Sequence, residues 1–297
     1  MACAGALGPI IPPSTFFILY GVMASVSVSK LFMGGILPGL LVTLCLAIAN
    51  YFMCKKAAYP LPDSKYTGRE IWTAFKDAFW ALMAPAVVLG GIYGGVFTPT
   101  EAAVISVFYS IVVGLFVYRE LKPRDVFLSF VKGGMTSAAI MVIMEPANAL
   151  GKMLAVARIP QIIADGLMNI SSSPVLFLLL NVILILAGML MEGCTILTIM
   201  TPLLVPIARA YGIDLLHLGI IISVNLSLGL FTPPFGLNLF ITSKIANCKF
   251  NKTFRPLLSL AIATFVALLV IMYVPGLSTW LPKVLSKHFA IASPNLM

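Results

Sequence analysis

The sequence predicts an all-α integral membrane protein, a polytopic helical bundle with discontinuous helices and a re-entrant hairpin. Three observations carry that prediction. Of the 297 residues, 60% are hydrophobic and 10% charged, whereas an ordinary soluble domain is about 25% charged. The apolar residues form long runs that do not alternate with polar ones, which excludes a transmembrane β-barrel. Two proline-rich stretches, "LGPIIPPSTF" (7–16) and "LGLFTPPFGL" (228–237), break that apolar sequence, and proline inside a helix removes a donor and clashes with the preceding turn.

Taken in order, residues 31–53 form the first candidate span, because 23 helical residues rise about 34 Å, enough for the hydrocarbon core. A basic loop with Lys55, Lys56, Lys65, Arg69 and Lys76 follows. The apolar block 78–118 suits two helices divided by "FTPTEAA" (97–103), where Thr98 reads as N-cap, Pro99 as N1 and Glu101 as N3 of a capping box. A second basic loop holds Arg119, Lys122, Arg124 and Lys132. The positive-inside rule places both loops in the cytoplasm, which also accounts for the net charge of +9 without a nucleic-acid partner. Residues 133–151 form a span interrupted by "MEPAN" (144–148), followed by a segment of mixed polarity. Residues 174–191 span again and end at "EGCT" (192–195). From 196 to 243 the pattern fragments into half-length apolar pieces around Pro202, Pro206, "YGIDLLH" (211–217) and "TPPFG" (232–236). Such pieces suit re-entrant or discontinuous helices. A basic loop (Lys244, Lys249, Lys252, Arg255) precedes a last span near 256–274 and an interfacial tail. The expected divisions are 1–53, 54–173, 174–243 and 244–297. The five cysteines lie far apart without a CxxC and read as packing residues.

An unpaired backbone carbonyl in hydrocarbon costs several kcal/mol. Irregular backbone at membrane depth therefore needs protein cover or a polar cavity. Freed carbonyls can then coordinate Na⁺, and half-helix N-termini attract anions. Matching breaks in two halves mark an inverted repeat. Here Leu7, Gly8, Pro12 and Pro13 match Leu228, Gly229, Pro233 and Pro234. The pattern is that of an inverted-repeat ion-transporter architecture.

The stretches "GALGPIIPPSTFFILYGV…SVSKLFMGGILPGLL", "GGVFTPTEAAVISVFY" (94–109) and "TPLLVPIARAYGIDLLHLGIIISVNLSLGLFTPPFGLNLF" (201–240) resemble the large membrane subunit of tripartite ATP-independent periplasmic (TRAP) transporters. The resemblance implies a Na⁺-driven symporter of the bacterial inner membrane. It implies a small four-helix membrane subunit and a periplasmic substrate-binding protein as partners. The implied substrate is an organic acid such as a C4-dicarboxylate, sialic acid or a keto-sugar acid, and the implied mechanism an elevator. No cofactor is expected beyond Na⁺ as coupling ion. Family members carry a long stretch before the first break, including a Ser-Gly-Ser-type turn, so an N-terminally truncated permease is expected. Two alternatives stay open: a non-transporting permease fragment, or a single-protein Na⁺/divalent-anion symporter.

Candidate ion-binding residues are Gly229, Thr232, Pro233, Pro234 and Gly236 at the second break and Gly8, Pro12, Pro13 and Ser14 at the first. Asn225, Ser227 and Asn238 flank the second break as further ligands or substrate contacts. Glu192, ending an 18-residue apolar run, is a further ion-site candidate. Glu101 reads as structural, and Glu145 as a residue of a scaffold or subunit interface. Asp214 reads as an N-cap and His217 as a polar contact on the same helical face. Arg158 and Arg209 read as interface residues, with bidentate carboxylate binding as the alternative role. HExxH is absent, the histidines are His217 and His288 alone, and Asp165 and Asp214 are poorly placed for aspartyl proteolysis. No enzyme is expected.

Overall fold

The computed structural model describes residues 1–57, 67–158, 162, 173–232, 236–246 and 250–292, and every regular element among these is helical. In chain order the helices are α1 (Ala2–Gly5), α2 (Thr15–Ala24), α3 (Val28–Ala57), α4 (Gly68–Tyr93), α5 (Pro99–Val112, continued by one π-turn over Val113–Val117) and α6 (Pro123–Val156). There follow α7 (Ser173–Leu190), α8 (Gly193–Ala210), α9 (Leu215–Gly229), α10 (Leu237–Ile245), α11 (Phe250–Tyr273) and α12 (Gly276–Ala292). Among the described residues, five segments are long and apolar enough to cross a membrane: Val28–Lys55, Gly68–Tyr93, Pro99–Val117, Pro123–Pro146 and Gly193–Ala210. A sixth is Leu257–Tyr273 with Gly276–Leu285, bent by 59° at the intervening break. The chain is thus an all-α, multi-pass membrane protein.

Contacts divide the chain into two compact units, residues 1–53 with 140–297, and residues 54–139. In the second unit α4 packs on α5. Tyr109 donates to the Trp80 carbonyl and Tyr118 to that of Asp77, each at 2.7 Å. Most of the apolar side chains here point outward, as suits helices solvated by acyl chains. The capping box at α5 forms as the sequence predicts. Glu101 N–H donates to Thr98 Oγ at 3.3 Å and Thr98 N–H to Glu101 Oε2 at 2.8 Å.

Several expected boundaries are corrected. Arg69 and Lys76 lie on α4, Lys55 and Lys56 on the last turn of α3, Arg124 and Lys132 on α6, Lys244 on α10, and Lys252 and Arg255 on α11, rather than in loops. Lys65 and Lys249 fall outside the described residues. The backbone ladder does not stop where hydrocarbon stops. Helix α4, 26 residues long, rises about 39 Å across a core of about 30 Å, so its charged first turns stand in the headgroups. "MEPAN" does not interrupt α6, which runs through Pro146. Likewise α8 runs unbroken through Pro202 and Pro206. One proline deletes one ladder bond, whereas ending a helix in lipid orphans a whole turn of carbonyls. In α8 the buried face of Ile196, Leu197, Leu204, Val205 and Ala208 holds the helix together.

Helix α9 is the centre of the first unit. Every residue from Leu216 to Gly229 is buried, as expected of a helix that is apolar all round. It packs against α2, α7, α8, α11 and α12. At its start Tyr20 of α2 donates to the Leu215 carbonyl at 2.7 Å. Tyr20→Phe deletes that bond and leaves the Leu215 oxygen to other partners. We expect a loss of about 1 kcal/mol, measured by denaturant unfolding of the detergent-solubilised chain.

Candidate functional site: two interlocked breaks

The first break follows α1. Residues 7–11 close on themselves, the N–H groups of Ile10 and Ile11 donating to the Leu7 carbonyl at 3.0 and 2.8 Å. The Pro12–Pro13 peptide is cis. Ser14 then caps α2. Its Oγ accepts from Phe17 N–H at 3.3 Å and its proton goes to the Pro9 carbonyl. One side chain thus ties both ends of the break together, and it is buried. Pro12 is buried, while Gly8 and Pro13 are exposed.

The second break follows α9. Thr232 donates from its hydroxyl to the Leu228 carbonyl at 2.6 Å and from its N–H to the Gly229 carbonyl at 3.2 Å. Pro233 and Pro234 lie outside the described residues. Gly236 sits at φ +37°, in the left-handed region that favours glycine. Asn238 N–H closes the break on the Leu230 carbonyl at 2.9 Å. Gly229 is the last residue of α9 rather than part of the irregular stretch.

The two breaks cross. Helix α2, which leaves the first break, packs on α9, which enters the second; α1, which enters the first, packs on α10, which leaves the second. Asn238 of α10 reaches toward α1, its Nδ2 3.5 Å from the Ala2 carbonyl. The turn between α7 and α8 joins this crossing. A Cβ on Gly193 would lie 2.4 Å from the Phe16 ring, just after the first break. Before the second break, α7 and α9 touch backbone to backbone: a Cβ on Gly229 would lie 2.7 Å from the Gly188 carbonyl carbon. Glu192 is the N-cap of α8. Its exposed carboxylate accepts from the N–H groups of Cys194 and Thr195, both at 3.0 Å.

Behind the second break lies a buried polar cluster. Asn225 Nδ2 donates to the Asn181 Oδ1 at 2.7 Å and to the Asn181 carbonyl at 2.9 Å. Both side chains are almost wholly buried. Turning the Asn225 amide over would oppose three oxygens, so its orientation is fixed. Among the described residues that leaves Asn225 Oδ1 buried with no hydrogen-bond donor, at a cost of about 1–3 kcal/mol. Ser227, two residues closer to the break on the same helix, is buried and donates to the Ser223 carbonyl at 2.7 Å. Asn238 is half-buried. Asn181 was not among the residues expected from the sequence. The signal was present, since it is the single polar side chain inside "VLFLLLNVILIL", and a polar side chain within an apolar run is costly unless it finds a partner.

The other charged residues stand apart from the crossing. Asp214 is the N-cap of α9, accepting from Leu216 N–H at 2.8 Å. His217 is buried between α11 and α12. Its Nε2 lies 3.2 Å from the Met272 carbonyl, so that nitrogen carries the proton, and its Nδ1 lies 3.1 Å from Ser278 Oγ. Glu145, Arg158 and Arg209 are exposed.

Paired broken helices, crossed and bridged by a hairpin turn inside an apolar bundle, define the class of membrane permeases that build sites from irregular backbone. The sequence profile of the tripartite ATP-independent periplasmic transporter, DctM component, matches residues 1–277, and the chain belongs to this family. Among its relatives, the isethionate TRAP transporter permease protein DctMQ of Oleidesulfovibrio alaskensis is 40% identical over 93% of this chain and 44% of its own length. The C4-dicarboxylate TRAP transporter large permease protein DctM of Vibrio cholerae is 38% identical over 95% of this chain and 67% of its own length. The sialic acid TRAP transporter permease protein SiaT of Haemophilus influenzae is 34% identical over 96% of this chain and 46% of its own length. The chain therefore spans about half to two thirds of the length of these relatives.

The glycines at the crossing separate packing from permissiveness. Gly229→Ala forces α7 and α9 apart and is expected to cost about 1–3 kcal/mol. Gly8→Ala, whose nearest obstacle is the Gly5 carbonyl at 3.5 Å, is expected to be near neutral. Thermal unfolding of the two variants in one detergent checks the contrast.

Proposed function

We propose that the chain is the large permease subunit of a Na⁺-driven TRAP transporter of the bacterial inner membrane. It imports an organic acid handed over by a periplasmic binding protein and works with a small four-helix membrane subunit. Membership of the family supports the class. The substrates named for relatives, isethionate, C4-dicarboxylate and sialic acid, support an organic anion.

The observation that carries the reading is the crossing of the two breaks. It packs the helices that flank the two breaks against one another, and each break carries one hydroxyl, Ser14 at the first and Thr232 at the second. Na⁺ is a hard cation that takes oxygen ligands, and carbonyl and hydroxyl oxygens are what the crossing concentrates. In this proposal the backbone at Gly8, Pro12, Pro13, Gly229, Pro233, Pro234 and Gly236 shapes the ion sites, and Ser14 and Thr232 add side-chain oxygens. Glu192 contributes negative potential from the hairpin turn. Asn225, Ser227 and Asn238 are proposed for the organic anion. Asn225 and Ser227 are buried in this state, so they serve substrate only when the helices around α9 open locally, in addition to a rigid-body elevator movement of the first unit.

The chain is reconstituted in vesicles with the small subunit and binding protein, and uptake is followed against external Na⁺. Thr232→Val keeps the shape and removes the hydroxyl. The expected result is an uptake curve shifted to higher Na⁺ by about tenfold, the change that 1.4 kcal/mol brings, with unchanged protein level. A curve superimposing on that of the parent chain would remove Thr232 from the ion site. Uptake independent of Na⁺ in the parent itself would overturn the proposed coupling.

A further inference from the structure

Between α5 and α6, inside the second unit, lies a cavity of about 400 Å³, lined among others by Ser106, Ser110, Ser129, Gly133 and Gly134. The proposed transport site makes no use of it. Both walls are long apolar segments, Pro99–Val117 and Pro123–Pro146. Helix α5 packs on α4, whereas no residue from 123 to 146 is buried among the described residues. Glycines 133 and 134 have no packing reason in this arrangement. Both lie mid-helix, where glycine is unfavourable relative to alanine. A Cβ added at either meets nothing within 4 Å among the described residues. By contrast, a Cβ on Gly193, Gly219 or Gly229 would clash at 2.4, 2.3 or 2.7 Å.

In lipid, helices are joined by close packing, and small residues four apart let two backbones approach. Each wall of the cavity carries such a pair: Ser106 and Ser110 on α5, Ser129 and Gly133 on α6. The connection puts the pairs in antiparallel register. It is a tight turn in which the Glu120 and Leu121 N–H groups donate to the Gly114 carbonyl at 3.1 and 3.3 Å, and Arg119 takes φ +55°. Measured along the chain from the middle of that turn, Ser110 and Ser129 are equally distant, and so are Ser106 and Gly133.

The serines raise no polar obstacle to such an approach. The hydroxyls of Ser106, Ser110 and Ser129 donate to the carbonyls of Ala103, Ser106 and Asp125 at 2.7, 2.7 and 2.8 Å. Each proton is thus satisfied within its own helix, and none needs a donor or acceptor from the other.

We infer that α5 and α6 have a second, closed packing, in which Ser110 meets Ser129 and Ser106 meets Gly133, and that the cavity is the open state of this hairpin. Closure exchanges lipid contacts for close backbone packing, and the cavity disappears. The partner that fills each side of the groove is the other helix of the same hairpin, tethered through residues 118–122 and in register. Helix α6 continues unbroken from the second unit into the first, so the device acts on a helix that both units share. It is independent of the ion and substrate assignments at the breaks.

The test is disulfide trapping of the full chain in native membranes, with the native cysteines replaced. Ser110→Cys is combined with Ser129→Cys, and Ser106→Cys separately with Gly133→Cys. A third combination, Phe108→Cys with Met135→Cys, sits on exposed positions that do not line the cavity. After mild oxidation, the thiols left free are counted by maleimide labelling and intact mass. Closure predicts that both hairpin pairs lose their thiols at the mass of one chain, while the outward pair stays labelled. Gly133→Leu, added to the Ser110 and Ser129 pair, points into open space in the present arrangement but blocks the closed one. It is expected to slow trapping at least about tenfold, equivalent to 1.4 kcal/mol against the closed form. Hairpin pairs that stay reduced, trapping indifferent to Gly133→Leu, equal trapping of the outward pair, or a product at twice the chain mass would each overturn the inference. Serine and cysteine are similar in size, so the Ser110 and Ser129 pair folds and decides the question even if Gly133→Cys does not.

Discussion

Hydrocarbon offers no water to an unpaired amide, and this single constraint organises the first unit. A helix that breaks inside the membrane must find protein partners for the groups it frees. Here each break is answered partly by its own side chains and partly by the other break. Ser14 ties the ends of the first, and Thr232 and Asn238 close the second. Crossed packing of α1 on α10 and α2 on α9 adds cover from the flanking helices, while Gly8 and Pro13 stay exposed. Each break therefore lies against helices that flank the other.

The same constraint explains why α9 has no exposed face. Its neighbours on every side supply the cover that the end of the helix lacks, and the glycine contact with α7 brings that cover to backbone distance. Polar groups survive on α9 where they find partners, as Ser223, Ser227 and His217 do. Asn225 is the exception. It gives both amide protons to Asn181, and among the described residues its buried oxygen has no donor.

Much of this was legible in the sequence, for physical reasons that differ by element. The cap at Thr98, Pro99 and Glu101 and the cap at Asp214 are local motifs whose bonds span two or three residues, and both form as read. The breaks were legible because proline advertises them. Their crossing was not, since it joins residues more than 200 positions apart and leaves no local pattern. Pro146, Pro202 and Pro206 look like the breaking prolines but lie within continuous helices, because surrounding apolar sequence favours one lost bond over a lost turn. Glu192 reads in the sequence as a costly charge, and its role as a cap depends on the backbone of α8. Asn181 carries no local motif, and its partner Asn225 lies on another helix.

The crossing of the two breaks is the central claim, and it has a direct measurement. Gly5→Cys and Asn238→Cys, introduced together after the native cysteines are replaced, place two thiols on α1 and α10 where a Gly5 Cβ would lie 3.3 Å from the Asn238 amide nitrogen. That is within reach of a disulfide. In native membranes, mild oxidation is predicted to cross-link the pair rapidly, and reduction to reverse it. A pair that stays reduced while a neighbouring pair within α9 and α7 cross-links would show that the two breaks do not meet, and the site built on their meeting would fall with them.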